Sequence, residues 1–194
     1  MWKGFQKGLV GLMLVSLGTV GLADESQPKQ TPDRPRYEIQ PGDVLEVSVW
    51  QEKDLQGDVV VEPDGTFSFP LVGEVSTKGK TVGELRRIVT ERIAKYVPDA
   101  VVTVAAKQLL GNKIYVIGKV NKPGEFRINR YVDVMQALSM AGGATPYADL
   151  NDIKILRRVD NKQVAIPFRY GDVADGENLK QNQFLKSGDT IVVP

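Results

Sequence analysis

The first feature of the sequence that could take part in chemistry is a short run of residues that could bind phosphate. Gly79, Lys80 and Thr81 stand just before a predicted helix, which is where a phosphate-binding loop places this tripeptide. That loop also requires a fixed spacing from an earlier glycine, and Gly73 misses it by one residue. Thr81 is better explained as the cap of the helix, with Glu84 completing a capping box. We therefore expect no nucleotide site here.

A cluster of carboxylates near the end of the chain offers oxygen ligands of the kind that calcium prefers. Asp172, Asp175 and Glu177 stand close together around Gly176, but their spacing matches no EF-hand loop. A solvated loop explains the same residues without a metal. The sequence therefore predicts no metal site.

Other carboxylates could form the acid and base pair of a glycoside hydrolase. They lie within one predicted hairpin and are Asp54, Asp58, Glu62 and Asp64. The alternation of a strand and the chemistry of a turn already account for these residues. We expect no catalysis from them.

The composition of the chain removes most other chemistry. Its 194 residues include no cysteine and no histidine, which excludes thiol nucleophiles, disulfides, the usual zinc ligand sets and the side chain most used for proton transfer. The 25 basic residues balance 24 acidic ones, so no net field attracts nucleic acid. A hydrophobic share of 42% is ordinary for a protein with a buried core. We expect a protein that is not an enzyme and needs no cofactor.

The first residues have the pattern of a secretory signal peptide. Lys3 and Lys7 precede an apolar run at 9–22, and small residues up to Ala23 fit a cleavage site. We predict a signal peptide at 1–23 with cleavage after Ala23. The alternative is an uncleaved membrane anchor, although the run is shorter than the ~20 residues that a spanning helix needs. The proline-rich segment 24–36 is then expected to be an extended linker.

The stretch from Tyr37 to Val75 alternates strand and turn, and the rest of the chain is arranged around it. Strands are predicted at 44–50 and 58–62 from their alternation of apolar and polar residues. Asp64 and Gly65 favour a type I′ turn, which would close 59–62 and 66–69 as a hairpin. An amphipathic helix should follow and end at Val97, before Pro98. Its apolar stripe consists of Val82, Leu85, Ile88, Val89, Ile93 and Tyr96.

The second half of the chain has the element order of a β-grasp fold after a boundary at 108–112. Pro123 and Gly124 favour a type II turn, and Gly142 and Gly143 should terminate a helix, or else contact a ligand. The predicted elements are a strand at 100–106 before the boundary, then strands 113–118 and 125–128, a helix 132–140, and strands 153–157, 163–168 and 190–193. The predicted fold class is α+β, strand-rich, with two small domains, the second β-grasp-like.

Two ordered sets of residues resemble a known family. The first set is Tyr37, Pro41, Gly42, Asp43, Leu45, Val49, Trp50, Asp64, Gly65, Phe69, Pro70 and Gly73, and it resembles the N-terminal domain of the Wza-type bacterial polysaccharide exporters. The second set is Ile117 to Val120, Lys122, Pro123, Gly124, Ala141 to Ala144 and Ala148, and it resembles the soluble-ligand-binding β-grasp (SLBB) domain of the same exporters. The resemblance implies domains at 37–107 and 112–194.

A short internal echo relates the beginning of the first predicted domain to the end of the second. Residues 39–47 and 185–193 share a turn glycine and an aspartate directly before a strand. Glycine permits the turn, and the aspartate can accept hydrogen bonds from backbone N–H groups. We interpret the echo as shared turn chemistry and not as proof of a duplication.

The resemblance implies a passive, ring-forming subunit of a machine that exports capsular or extracellular polysaccharide. Its implied partners are further copies of itself, an inner-membrane co-polymerase and synthesis complex, and the polysaccharide cargo. The chain lacks the lipid-modified cysteine and the C-terminal membrane helix of Wza-type exporters, so a separate outer-membrane channel is expected. The expected location is the periplasm, in association with the outer membrane. The alternative is a monomeric periplasmic module that binds a soluble glycan or a partner protein.

Two surface features have open alternatives. Trp50 is expected in the core, although an aromatic platform for sugar rings would also use it. Basic residues of the first helix should form a solvated face, or else a surface between subunits or towards a lumen. They are Arg86, Arg87, Arg92 and Lys95.

Overall fold

The computed structural model describes residues 36–160 and 162–194, which form a strand-rich α+β fold, as predicted. Their buried apolar residues separate into two hydrophobic cores, which we call the N-terminal core and the C-terminal core. The predicted signal peptide, its cleavage after Ala23 and the linker up to Pro35 lie outside the described residues. Of the helices that are described, none has the length and apolar character needed to cross a membrane.

The N-terminal core is built from two small antiparallel sheets and one helix. Strand β1 is central in a sheet of order β2-β1-β5, and β3 and β4 form a hairpin of their own. The elements are β1 (Val44–Val49), β2 (Glu52–Val60), β3 (Thr66–Phe69), β4 (Gly73–Ser76), α1 (Val82–Ile93) and β5 (Val102–Gln108). Alternate residues of β1 are buried together with the stripe Leu85, Val89 and Ile93 of α1. This shared core explains the alternation of apolar residues in the strand and their helical spacing in α1.

The predicted hairpin across Asp64 and Gly65 is limited to its turn, where the N–H of Glu62 donates to Thr66 and the N–H of Gly65 donates to Glu62. The strand ladders instead join β2 to β1 and β3 to β4. The N–H of Val61 donates to the carbonyl of Asp43, so the β1 side holds the chain up to that residue before it turns away. Of the two turn residues only Gly65 has a positive φ, at +81°, whereas a type I′ turn needs two. The carboxylate of Asp64 instead accepts hydrogen bonds from the backbone and hydroxyl of Thr66.

Helix α1 ends at Ile93, one turn earlier than the predicted end at Val97. The chain reverses direction between the helix and β5, and Asp99 takes a left-handed φ of +57° in that reversal. The prediction took the end of the helix only from the residue before Pro98. The chain also has to reverse direction before β5, and the residues of this reversal are not helical. Tyr96 consequently lies outside the apolar stripe, with its side chain 62% exposed.

The predicted capping box at the start of α1 is confirmed and leads to a testable result. The hydroxyl of Thr81 accepts from the N–H of Glu84, and the Glu84 carboxylate accepts from the N–H of Thr81 at 2.8 Å.

Thr81→Ala is expected to lower the free energy of unfolding by about 1 kcal/mol, measured by urea denaturation. Thr90→Ala, inside the same helix, is the matched control because alanine is the better helix former there. An equal loss in both variants would contradict the capping role.

The C-terminal core has the β-grasp-like arrangement predicted for it. The sheet order is β7-β6-β10-β8-β9, in which the last strand, β10, lies at the centre and runs parallel to β6. The elements are β6 (Lys113–Gly118), β7 (Gly124–Arg127), α2 (Val134–Met140), β8 (Ile153–Val159), β9 (Lys162–Phe168), α3 (Tyr170–Ala174) and β10 (Thr190–Val193). Helix α2 buries Val134, Ala137 and Leu138 in this core. The predicted hairpin of β8 and β9 is confirmed.

The predicted type II turn at Pro123 and Gly124 is wrong. Gly124 is the first residue of β7 and pairs with Val116, and its φ of +155° is far from the value of about +80° at the third residue of that turn. The ladder between β6 and β7 ends at the pair of Val116 with Gly124, so residues 117–123 belong to the connection. A longer loop therefore connects β6 to β7.

Candidate functional site

Two turns of the same geometry stand at the beginning of the central strand of each larger sheet. We call Gln40–Asp43 the first turn and Lys186–Asp189 the second turn. In each, the N–H of the opening residue donates to the aspartate carboxylate, at 2.9 Å in the first turn and 2.8 Å in the second. In each, the aspartate N–H donates back to the carbonyl of the opening residue at 3.1 Å. The sequence echo therefore corresponds to one local structure used twice.

Glycine is required in both turns because the residue before the aspartate is left-handed. Gly42 has φ +89° and Gly188 has φ +85°. The N–H of Gly42 donates to Val61, and the N–H of Gly188 donates to Lys113. Each turn is thereby tied to a neighbouring segment of its own core, and β1 and β10 begin from a fixed position.

The two aspartates are buried but have different partners. Asp43 is fully buried and accepts hydrogen bonds from the Tyr37 hydroxyl at 2.6 Å and from the N–H of Gly111 at 2.9 Å. Asp189 is 1% exposed and forms a two-pronged ion pair with Arg157, with Nε to Oδ1 at 2.9 Å and Nη2 to Oδ2 at 2.6 Å. The first carboxylate is therefore stabilised by neutral donors and the second by a cation.

Tyr37 responds to its buried position beside Asp43. Burial of the phenol, together with its hydrogen bond to Asp43 and the nearby negative charge, raises the pKa of Tyr37 above its usual value of 10.0. The phenol therefore stays protonated in the folded protein under alkaline conditions in which the unfolded chain ionises.

This raised pKa predicts a loss of stability at alkaline pH. The contribution of Tyr37 is fully present below pH 10.0 and decreases as the pH rises above it, because the unfolded state then binds fewer protons than the folded state. Urea unfolding of the wild type should show a steeper decrease in free energy above this pH than Tyr37→Phe shows. Tyr96→Phe controls for the loss of an exposed phenol. Identical slopes for wild type and Tyr37→Phe would contradict the prediction.

Three further family-motif residues of the N-terminal core, Gly65, Pro70 and Gly73, lie in or beside turns. The carbonyl of Gly65 accepts hydrogen bonds from the N–H and the hydroxyl of Thr77. Pro70 and Leu71 form the turn of the β3–β4 hairpin, where Leu71 has φ +63°, and Gly73 follows with φ +70°. These residues fix the path of the chain.

Gly118 marks a close approach of two backbones in the C-terminal core. It has φ +95° and pairs with Val193 in the parallel ladder of β6 and β10. A Cβ atom at this position would lie 2.0 Å from the carbonyl oxygen of Val193. Only glycine therefore fits here.

Gly142 and Gly143 end helix α2 and line a cleft. The N–H of Gly142 donates to Ser139 and the N–H of Gly143 donates to Leu138, which is the Schellman pattern. Their carbonyls accept from the side chain of Asn121, so the loop before Pro123 is held against the end of the helix. A cleft of about 670 Å³ opens beside them. It is lined by Met135, Leu138, Ser139, Gly142, Gly143, Ala144, Leu150 and Tyr170.

The carboxylates considered for chemistry are dispersed. Asp58 pairs with Lys107 at 2.6 Å, and Asp172 accepts from the side chains of Arg169 and Gln181. The part of the chain that the structure describes contains no group of three or more residues able to hold a metal ion. Thr81 serves as the helix cap, as described above.

Two expectations about surface residues need correction. Trp50 is not in the core, since its side chain is 71% exposed at the turn between β1 and β2. Arg92 is not simply a solvated side chain, because its guanidinium donates to the carbonyls of Val72 and Glu74 and ties α1 to the β3–β4 hairpin. The buried residues of β1 are Leu45, Val47 and Val49, so the alternation already directs Trp50 to the opposite face.

Sequence reasoning missed the roles of Gly111, Ser187 and Arg157. The hydroxyl of Ser187 donates to the carbonyl of Gly111 at 2.9 Å, so Gly111 touches both turns. Arg157 reads in the sequence as an ordinary strand residue. The only signal for Gly111 was its place within the predicted domain boundary, and the only signal for Ser187 was its place in the echo.

Comparison with known proteins identifies both halves of the chain. A family model described as polysaccharide biosynthesis/export protein matches residues 31–107, and an SLBB domain model matches residues 112–193. The EPS I polysaccharide export outer membrane protein EpsA of Ralstonia solanacearum is 31% identical over 87% of this chain and 54% of its own length. The polysialic acid transport protein KpsD of Escherichia coli is 30% identical over 82% of this chain and 28% of its own length.

A third relative also matches most of this chain with only part of its own length. The capsule polysaccharide export outer membrane protein CtrA of Neisseria meningitidis serogroup B is 24% identical over 78% of this chain and 42% of its own length. The chain thus spans about half the length of EpsA and less of the other two relatives. Both family models match in sequence order and together cover most of the chain, and the relatives described here are polysaccharide export or polysialic acid transport proteins by name. The chain belongs to the polysaccharide biosynthesis/export protein family.

Proposed function

We propose that this protein acts in the export of a capsular or extracellular polysaccharide, as a passive subunit of a ring. The observation that carries the proposal is the match of the export and SLBB family models, in this order, to the two hydrophobic cores. The matched relatives are exporters by name. In a ring of this kind, the subunit contributes shape, and the polymer passes through the lumen.

The surface of the described residues supports assembly with further copies. Strands β2, β5, β7 and β9 lie at the outer edges of their sheets, and an unpaired edge is a ready site for strand pairing with another chain. Large aromatic side chains are also exposed, with Trp50 at 71% and Tyr147 at 83%. A ring needs two different complementary faces on each copy, and the separate strand edges and exposed aromatic side chains can provide them.

Strand β5 is the edge best suited to such a contact. Edge strands that must not pair usually contain charged residues or proline. β2 contains four charged residues, and β9 contains Pro167 opposite Lys154. β5 contains a single charged residue, Lys107, and its last four residues are exposed. We therefore place one side of the interface between copies at β5.

The remaining parts of the machine follow from this role. A ring in the periplasm, associated with the outer membrane, needs a separate channel to pass the polymer outwards. It also needs an inner-membrane co-polymerase and synthesis complex that makes the polymer and pushes it. In this proposal the polysaccharide is cargo, and the protein carries out no reaction on it.

Two measurements test the proposal together. The purified protein should form rings in negative-stain images, with a matching mass by analytical ultracentrifugation. Deletion of its gene should stop polysaccharide from reaching the medium while cell-associated polymer still accumulates. A monomer at high protein concentration, combined with normal export in the deletion strain, would overturn the proposal.

The cleft beside Gly143 favours a second candidate, a monomeric module that binds a soluble glycan. Tyr170 offers an aromatic surface and a hydroxyl, and Ser139 offers a second hydroxyl, within a mainly apolar cleft. Saturable binding of short oligosaccharides by the monomer, lost in Tyr170→Ala, would support the module. Stable assembly without such binding would support the ring.

A further inference from the structure

The two cores are nearly independent in their packing. Among the described residues, the pairs of helices and strands that pack extensively on each other all lie within one core, such as β1 with β5 or β10 with β6. The cores are connected in the chain by the short segment between β5 and β6. Their relative orientation must therefore depend on contacts made by this segment or by the turns beside it.

Gly111 lies in this segment, and its backbone is bound to both turns. Its N–H donates to Asp43 of the first turn at 2.9 Å, and its carbonyl accepts from Ser187 of the second turn at 2.9 Å. Both partners are themselves fixed. Asp43 is held by Tyr37 and Gln40, and Ser187 belongs to a turn locked by Asp189.

Close packing at Gly111 adds to these hydrogen bonds. A Cβ atom on Gly111 would lie 2.3 Å from the carbonyl oxygen of Pro41 and 2.7 Å from Cβ of Gln40. Gly111 does not have a left-handed φ, so an alanine would suffer no backbone strain of its own there. The requirement for glycine comes only from the closeness of the first turn.

We infer that Gly111 is a rigid joint that fixes the orientation of the two cores, and that Gly111 and Ser187 are positioning residues of the subunit. The joint connects the beginnings of β1 and β10, which are the central strands of their sheets. A change at the joint therefore rotates one whole sheet relative to the other. Its consequence for a ring rests on the proposed function, because the shape of each subunit then determines whether the ring closes.

The test measures the distance between the two cores directly. The sequence contains no cysteine, so Glu91→Cys in α1 and Gln163→Cys in β9 give two unique sites for spin labels. Electron–electron double resonance is recorded on labelled protein diluted into an excess of unlabelled protein, which leaves only distances within one chain. A single narrow distance distribution is expected for the labelled wild type. Gly111→Ala should broaden or shift this distribution while circular dichroism shows that both cores remain folded.

Two further variants make the result decisive. Gly57→Ala is the matched control, because a Cβ atom at Gly57 meets nothing within 4 Å and its φ is not positive. Ser187→Ala removes the hydrogen bond to Gly111 and a longer one that the hydroxyl accepts from the N–H of Lys113, without adding an atom. It should broaden the distribution less than Gly111→Ala does. An unchanged distance distribution in both Gly111→Ala and Ser187→Ala would overturn the inference. Unfolding of either core in Ser187→Ala would also overturn it, because the residue would then support folding and not orientation.

This measurement separates the joint from the proposed function. The label distance is a property of one chain and is read whether or not rings form. A broad distribution in Gly111→Ala together with normal export would leave the joint in place and contradict the link to ring geometry. A narrow wild-type distribution in a protein that never assembles would retain the joint and count against the ring.

Discussion

Arg157→Ala is expected to lower the free energy of unfolding by about 3 to 5 kcal/mol, because it leaves the buried carboxylate of Asp189 without its cation. The arginine side chain is 11% exposed and the aspartate 1% exposed, so water cannot easily replace the lost partner. The guanidinium also donates to Gln183 and to the carbonyl of Phe184. Its loss therefore releases the segment that leads into the second turn.

The neighbouring Arg158 provides the matched control for this prediction. Its side chain is exposed on the same strand, so Arg158→Ala should change the free energy of unfolding by no more than about 0.5 kcal/mol. Arg157→Lys keeps the charge but loses the two-pronged geometry, and it should fall between the two alanine variants. The measurement is urea denaturation followed by circular dichroism. Equal stability of Arg157→Ala and Arg158→Ala would show that the ion pair does not stabilise the fold.

The elements that the sequence predicted well are those determined by local patterns. The stripe Leu85, Val89 and Ile93 repeats at helical spacing, and the capping box at Thr81 depends only on residues three apart. The β8–β9 hairpin joins strands that are adjacent in the chain. In each case the partners lie close in sequence, so the pattern contains the information that determines the structure.

The elements that the sequence did not predict depend on partners far away in the chain. The chain after β2 is bound to Asp43 through Val61, and the predicted hairpin across Gly65 keeps only its turn. The end of β6 is determined by a partner at the other end of the chain, because Gly118 pairs with Val193. The roles of Gly111 and Ser187 arise from contacts across 68 and 76 positions. No local periodicity records contacts of this length.

The candidate site shows the same division. The motif glycines Gly42, Gly142 and Gly143 lie in turns with positive φ, which their residue type suggests without any knowledge of partners. What these turns are used for is not visible in their spacing. The first turn serves as an anchor for the joint at Gly111, and its aspartate is bound by Tyr37, which the sequence presented only as one residue of a family pattern.

Asp43→Ala is the second change with a large expected effect, a loss of about 3 kcal/mol or more in the free energy of unfolding. Three partly buried donors around this fully buried carboxylate lose their acceptor, namely the Tyr37 hydroxyl and the N–H groups of Gln40 and Gly111. Each unsatisfied buried donor costs about 1 to 3 kcal/mol, and the costs are not simply additive. The measurement is urea denaturation of the purified protein.

Asp64→Ala is the matched control, because that aspartate also accepts two hydrogen bonds in a turn but is exposed, so water can satisfy Thr66 after the change. Its cost should stay near or below about 1 kcal/mol. Asp43→Asn separates the two roles of the buried carboxylate. The single amide oxygen can still serve Tyr37 and Gln40, which bind Oδ2, but the amide NH₂ then faces the N–H of Gly111, which needs an acceptor. The variant should therefore keep most of the stability and lose the fixed distance between the cores. An asparagine variant as unstable as the alanine one, with its label distance unchanged, would show that Asp43 supports the N-terminal core alone.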